Sequence, residues 1–158
     1  MKKKNKLADS FYILAENIYR HLQSEDSLQW MPEFARVLTN RAINLRQMSK
    51  GNKPAELIEK LYLEALDLYQ KANQNEGGNL YARHLGRVHN ALANYYSMVK
   101  KYEQAEKAFQ KALEIQSSLA QHNPIVFEID LANTSYNYSL NLCKRNDTLN
   151  AKKYIWQA

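Results

Sequence analysis

The chain has few of the residues that make turns or cross-links: its 158 residues include one cysteine, three prolines and four glycines. The lone Cys143 excludes an internal disulfide framework and fits a reducing compartment. So little proline and glycine disfavours the many turns of a β-sandwich and favours long helices. No apolar run approaches the ~18 residues that a membrane span needs. The sequence therefore predicts a helical protein of the cytoplasm that has no membrane partner.

Positive charge is concentrated at one end of the chain. The net charge is +6, and four lysines fall within the first six residues, while the remaining basic and acidic residues nearly balance. We expect residues 1–5 to form a disordered basic tail. Because the rest of the chain is almost neutral, it lacks the broad positive footprint of a nucleic-acid-binding surface. Binding of RNA or DNA through this tail is the least favoured of the binding functions.

Side chains in catalytic or metal-binding patterns are also missing from the sequence. His84 and His89 are five residues apart, which turns them to different faces of a helix, whereas a zinc pair needs a spacing of three or four. Gly77 and Gly78 interrupt a helix and form no phosphate-binding loop. The sequence predicts no catalytic residues, no metal site and no cofactor, and hence no enzyme.

One short pattern recurs at intervals of about 50 residues, within the range of structural repeats. It consists of alanine, which isoleucine replaces in the second copy, then a large apolar residue four positions later and alanine three positions after that. Long-period self-similarity is typical of stacked helical units that share a continuous core. The four copies are Ala8-Tyr12-Ala15, Ile58-Tyr62-Ala65, Ala105-Phe109-Ala112 and Ala151-Ile155-Ala158.

Apolar periodicity predicts seven helices separated by short polar connections. The second, fourth and sixth align without a gap, each opening with an aromatic residue: Trp30, Tyr81 and Phe127. A simple amphipathic bundle would also show apolar residues at i, i+4 and i+7. Two interleaved helix types, each with its own recurring pattern, favour repeated helical hairpins instead. The predicted helices span residues 6–23, 29–48, 54–73, 79–98, 102–121, 125–145 and 148–158.

Residues 92–115 carry the clearest unit. The order Leu92, Ala93, Tyr96, then Ala105, Phe109, Ala112 and Leu113 resembles a tetratricopeptide repeat. The longer connections are similar to the kinesin light chain type of that family. The resemblance implies an all-α fold, a right-handed α-α superhelix of about seven antiparallel helices in one domain, residues 1–158. Its parts would be a leading helix in 6–28 and hairpin repeats at 29–78, 79–123 and 124–158.

The resemblance also implies where a partner would bind, because the first helix of each hairpin lines a concave groove in such folds. Asparagine amides both donate and accept hydrogen bonds, which suits a peptide backbone, and arginine binds carboxylates. A merely hydrated polar face is the alternative interpretation of the same residues. The candidate groove residues are Arg36, Asn40, Arg87, Asn90, Asn94, Asn133 and Asn137.

The leading functional hypothesis is a protein-protein interaction scaffold that binds an extended or helical peptide, with an acidic peptide favoured by the arginines. The alternative is a structural module, which either self-associates through its C-terminal helix around Tyr154, Ile155 and Trp156 or serves as a regulatory fragment of a larger protein. The partner would be a protein or peptide in the first case and a second copy or a larger assembly in the other.

Overall fold

A computed structural model describes residues 2–25, 27–49, 55–75 and 80–155, and all regular structure in these ranges is α-helical. The predicted all-α class is confirmed, with helices that pack against their neighbours within each compact part of the chain. The chain divides into two compact units, Met1–Tyr81 and Ala82–Ala158. The single repeat domain predicted across both stays a prediction. The helices are α1 Lys2–Glu25, α2 Ser27–Ser49, α3 Ala55–Asn75, α4 Ala82–Met98, α5 Tyr102–His122, α6 Pro124–Lys144 and α7 Thr148–Ile155.

Helix ends differ from the predicted ones at two places for visible reasons. Helix α1 begins at Lys2, so residues 2–5, predicted as a disordered tail, are helical. There the Asn44 side-chain amide donates to the carbonyl oxygen of Asn5 (3.0 Å) and fixes the first turns. Helix α4 begins at Ala82, three residues late, because the Tyr81 N–H donates to Asn73 Oδ1 (3.1 Å) and is held in a turn. The end of the last predicted helix, residues 156–158, lies outside the described residues.

In the first unit α2 packs against both α1 and α3. Its core is built on Phe34 and Leu38 of α2 and Tyr62 of α3, all of which are nearly inaccessible to solvent. The ring of Tyr19 stacks on Phe34 with 5.8 Å between centroids, which attaches α1 to this core. Arg41 adds a half-buried ion pair to Glu16 of α1. The apolar contacts supply most of the packing free energy, and the ion pairs fix the helix register.

In the second unit α4 and α5 form a hairpin, α6 packs on both, and α7 packs on α6. Phe109 is fully buried and stacks on Tyr138 of α6, with 5.2 Å between ring centroids. Gly86 allows the close approach of α4 and α5, since a Cβ there would lie 3.0 Å from Cγ of Gln116. Buried aromatic rings and small residues at the contacts thus determine how these four helices pack.

Candidate functional site

A carboxylate held between two arginines marks the surface shared by α4 and α6. Asp130 of α6 accepts hydrogen bonds from Arg87 Nη2 (2.9 Å) and from Arg83 Nε (2.8 Å). The Asp130 side chain is 10% exposed, whereas those of the arginines are about half exposed. The Arg83 guanidinium also lies 5.5 Å from the centre of the Phe127 ring. Asp130 therefore holds both arginines in place, and each arginine still has N–H donors that face solvent.

The charge state of Asp130 follows from these contacts. Burial alone would raise the pKa of this carboxyl, but the hydrogen bonds from Arg87 and Arg83 outweigh it and hold the pKa below its usual range. Asp130 is thus ionised at neutral pH. With two guanidinium groups against one carboxylate, the surface keeps one surplus positive charge.

Three of the predicted asparagines meet one to two turns further along the same two helices. Asn94 Nδ2 donates to the carbonyl oxygen of Asn90 (3.0 Å) and lies 3.1 Å from its side-chain oxygen. Asn137 Nδ2 of α6 donates to the same side-chain oxygen (3.3 Å). The cluster is half-buried, and Asn133 lies exposed on α6 beside it. The structure therefore brings Arg87, Asn90, Asn94 and Asn137 together.

Helix α6 buries a mostly polar face and exposes large apolar side chains, which is the reverse of an ordinary amphipathic helix. Its buried residues are mostly polar: Asp130, Thr134, Ser135, Ser139 and Asn141 accompany Tyr138 and Leu142. All of its exposed large apolar side chains except Val126 share one face, at spacings of four and seven residues, so they line up along the helix. This exposed stripe, which borders the asparagine cluster, consists of Ile125, Ile129, Tyr136 and Leu140.

The two remaining candidates belong to the first unit. Arg36 is about half exposed on α2 and donates to Glu33, with 2.6 Å between Nη2 and Oε2. That ion pair holds the pKa of Arg36 above its ordinary value through the hydrogen bond and the charge of Glu33. Asn40 is half-buried one turn further along α2. In each unit, therefore, a carboxylate of the protein already binds the predicted arginine.

Sequence reasoning missed Arg83 and Asp130, although a signal for one of them existed. Arg83 precedes Arg87 by four residues, so both must share a face of α4. Asp130 gave no such signal, because a single carboxylate within a helix usually lies on the solvent-facing side. Only the packing of α6 on α4 shows that this carboxylate is enclosed by arginines.

A cleft in each unit lies away from the predicted groove residues. In the second unit a pocket of about 510 Å³ is lined by residues of α5, α6 and α7, among them Leu113, Leu131 and Tyr154. Tyr154 is half-buried there, with its ring 4.6 Å from that of Tyr138, and Ile155 is exposed. Trp156, the third residue predicted for self-association, lies outside the described residues. The candidate site is an open surface, as expected for a site that binds a chain segment.

The described part of the chain contains no group of three histidine, cysteine or acidic side chains that could hold a metal ion. Among the same residues, no helix has both the length and the apolar character to cross a membrane.

Comparison with known proteins identifies one segment. Residues 86–119 match the family model of the tetratricopeptide repeat. The match begins within α4 and ends within α5, so it includes Arg87, Asn90 and Asn94. No curated protein and no solved structure matches the chain. A tetratricopeptide repeat is typical of protein-protein interaction scaffolds, whereas the similarity to the kinesin light chain type stays a prediction.

Proposed function

We propose that this protein is an interaction scaffold that binds a peptide segment of a partner protein on the α4–α6 surface of its second unit. The observation that carries the proposal is the reversed polarity of α6, which leaves Ile129, Tyr136 and Leu140 exposed beside a polar cluster. An exposed row of large apolar side chains with a polar border is typical of a binding surface.

The polar border supplies the directional contacts. The exposed amide of Asn133 can donate to a peptide carbonyl and accept from a peptide N–H. Asn90, Asn94 and Asn137 hold one another in place, so their unused donors and acceptors are preorganised. The partner segment would therefore run along α6, with apolar side chains on the stripe and its backbone against the amides.

Charge favours an acidic segment. Asp130 neutralises only one of its two arginines, and Arg87 retains solvent-facing donors that can bind a carboxylate. Arg36 and Asn40 would form the corresponding surface on α2 of the first unit. Because Glu33 already pairs with Arg36, binding there would require that exposed ion pair to open, which costs about 0–1 kcal/mol.

The test begins with selection of 12-residue peptides from a displayed library against the full chain. Affinities of the selected peptides are then measured by fluorescence anisotropy. We expect Tyr136→Ala and Arg87→Ala each to weaken binding by about tenfold, since exposed aromatic and arginine side chains dominate such interfaces. Arg36→Ala shows whether the first unit contributes.

Lys111→Ala is the matched control, because it also removes an exposed cation, on α5, where Lys111 pairs with Glu114. Circular dichroism verifies that each variant stays helical. Selected peptides that bind the Tyr136 and Arg87 variants as tightly as the wild type would show that the partner docks elsewhere.

A further inference from the structure

A second row of exposed apolar side chains lies in the first unit, on α1. Leu7, Phe11, Leu14 and Ile18 are between 51% and 63% exposed. Their spacing of four, three and four residues places all four on one face of the helix, over a length of about 16 Å. The same spacing is the one by which two helices interlock along a seam.

The other faces of α1 already have partners within the first unit. Tyr19 stacks on Phe34 of α2, and Asp9 and Glu16 pair with Arg41 of α2. Arg20 reaches Glu64 of α3, with 2.7 Å between Nη1 and Oε1. The stripe therefore adds nothing to the core of the unit, although it places four large apolar side chains in water. Burial against another helix would remove that cost.

We propose that two copies of the chain associate through α1, with the helices antiparallel and the stripes in contact. The stripe is self-complementary about its midpoint between Phe11 and Leu14. An antiparallel pair places Phe11 of one copy opposite Leu14 of the other, and Leu7 opposite Ile18. One pattern thereby fills both sides of a two-fold interface, as a symmetric dimer requires.

Charge determines the orientation. Four lysines fall within the first six residues, while the last residue of α1 is Glu25. A parallel pair would set the two lysine-bearing ends side by side, where like charges repel. The antiparallel pair sets each lysine-bearing end beside the acidic end of the other copy, so the charges attract.

The area of the stripe predicts a weak dimer. Half-exposed side chains of this size offer about 400 Å² per copy, or about 800 Å² in the pair, against about 1,200–2,000 Å² for stable interfaces. We therefore expect a weak association that reverses on dilution. This surface is separate from the α4–α6 surface, so either proposal can fail while the other stands.

Sedimentation velocity of the full chain between about 2 and 200 μM tests the association. We expect the wild type to shift from monomer to dimer, and Phe11→Gln/Leu14→Gln to stay monomeric throughout. Leu63→Gln/Leu80→Gln is the matched control, since it removes two other exposed leucines of the first unit and should leave the dimer intact. A monomeric wild type, or a dimer that persists in the Phe11/Leu14 variant, overturns the proposal.

Spin labels test the orientation on a Cys143→Ser background. Ser10 and Lys6 are both exposed on α1 and receive the label after substitution by cysteine. In the antiparallel pair the two labels are offset along the axis by about 7 Å at position 10 and by about 20 Å at position 6. We therefore expect a clearly longer distance at position 6, and equal distances at both positions would overturn the antiparallel arrangement.

Discussion

At the scale of single residues, two helix ends in the second unit adopt the same left-handed turn with different residues. Lys100 and Asn146 both have φ of 62°. The N–H of the next residue bonds back across six residues in each case, from Lys101 to Tyr96 O (2.9 Å) and from Asp147 to Leu142 O (3.0 Å). This is the Schellman arrangement, in which glycine is preferred, asparagine is tolerated and lysine is strained.

We expect Lys100→Gly to stabilise the protein by about 1 kcal/mol, because glycine adopts this conformation without steric cost. Asn146→Gly, the matched control at the equivalent turn, should gain less than about 0.5 kcal/mol because asparagine already tolerates it. Urea unfolding of both variants measures the difference. Equal gains at the two turns would mean that the lysine side chain is not the source of the strain.

At the scale of helices, α6 shows which structural features can be predicted from the sequence and which cannot. Its bounds, Pro124–Lys144, lie within one residue of the predicted 125–145, because Pro124 suits a helix start and the Asn146 turn ends it. The sequence of α6 alone does not determine which face of the helix is buried. Both of its faces carry apolar residues, so the pattern fits two rotations about the helix axis, and packing against α4 and α5 selects the one that exposes Ile129 and Tyr136.

The predicted site likewise has one part that the sequence predicts and another that depends on tertiary packing. Arg87, Asn90 and Asn137 could be placed on helix faces by alignment of the repeats, and the structure brings them together. The role of Asp130 depends on contact with arginines that precede it by 43 and 47 residues, which no local pattern encodes. Sequence thus predicts what a helix can present, while tertiary packing decides which charges are neutralised.

Packing of α4 in the second unit also creates a pH response. Burial, with the charge of Lys111 on α5 as a smaller cause, lowers the pKa of His89 to about 4, against 6.5 for a free histidine. Above pH 6.5 the imidazole is neutral in both the folded and the unfolded chain. Below it the unfolded chain takes up the proton first, so stability is lost as the pH falls from about 6.5 to about 4.

We expect the free energy of unfolding to fall by about 2–3 kcal/mol over that range, and His89→Gln to remove most of the fall. Denaturant titrations at half-unit pH steps measure it. His122→Gln, at an exposed position on α5, is the control and should follow the wild type. If His89→Gln loses stability as steeply as the wild type, another group is responsible for the acid sensitivity.

At the scale of the whole molecule, the recurring pattern of alanine, a large apolar residue and alanine describes core positions in both units. Ile58, Tyr62 and Ala65 of α3 are inaccessible to solvent, and so are Ala105, Phe109 and Ala112 of α5. The first and last copies depart from this: Ala8, Tyr12 and Ala15 are only half-buried, and Ile155 is exposed. The pattern therefore encodes helix packing, and the residues proposed to bind partners lie outside it.

Because the α3 and α5 copies of the pattern are both buried, they lead to a paired prediction. Because Ala65 and Ala112 are both fully buried where two helices meet, Ala65→Leu and Ala112→Leu should each overpack the core and destabilise the protein by about 1–3 kcal/mol. Gln70→Leu on α3 and Gln104→Leu on α5, at exposed positions of the same helices, should change stability by less than about 0.5 kcal/mol. Thermal and urea unfolding measure all four. A large loss for only one of the two alanines would show that the two copies of the pattern are not structurally equivalent.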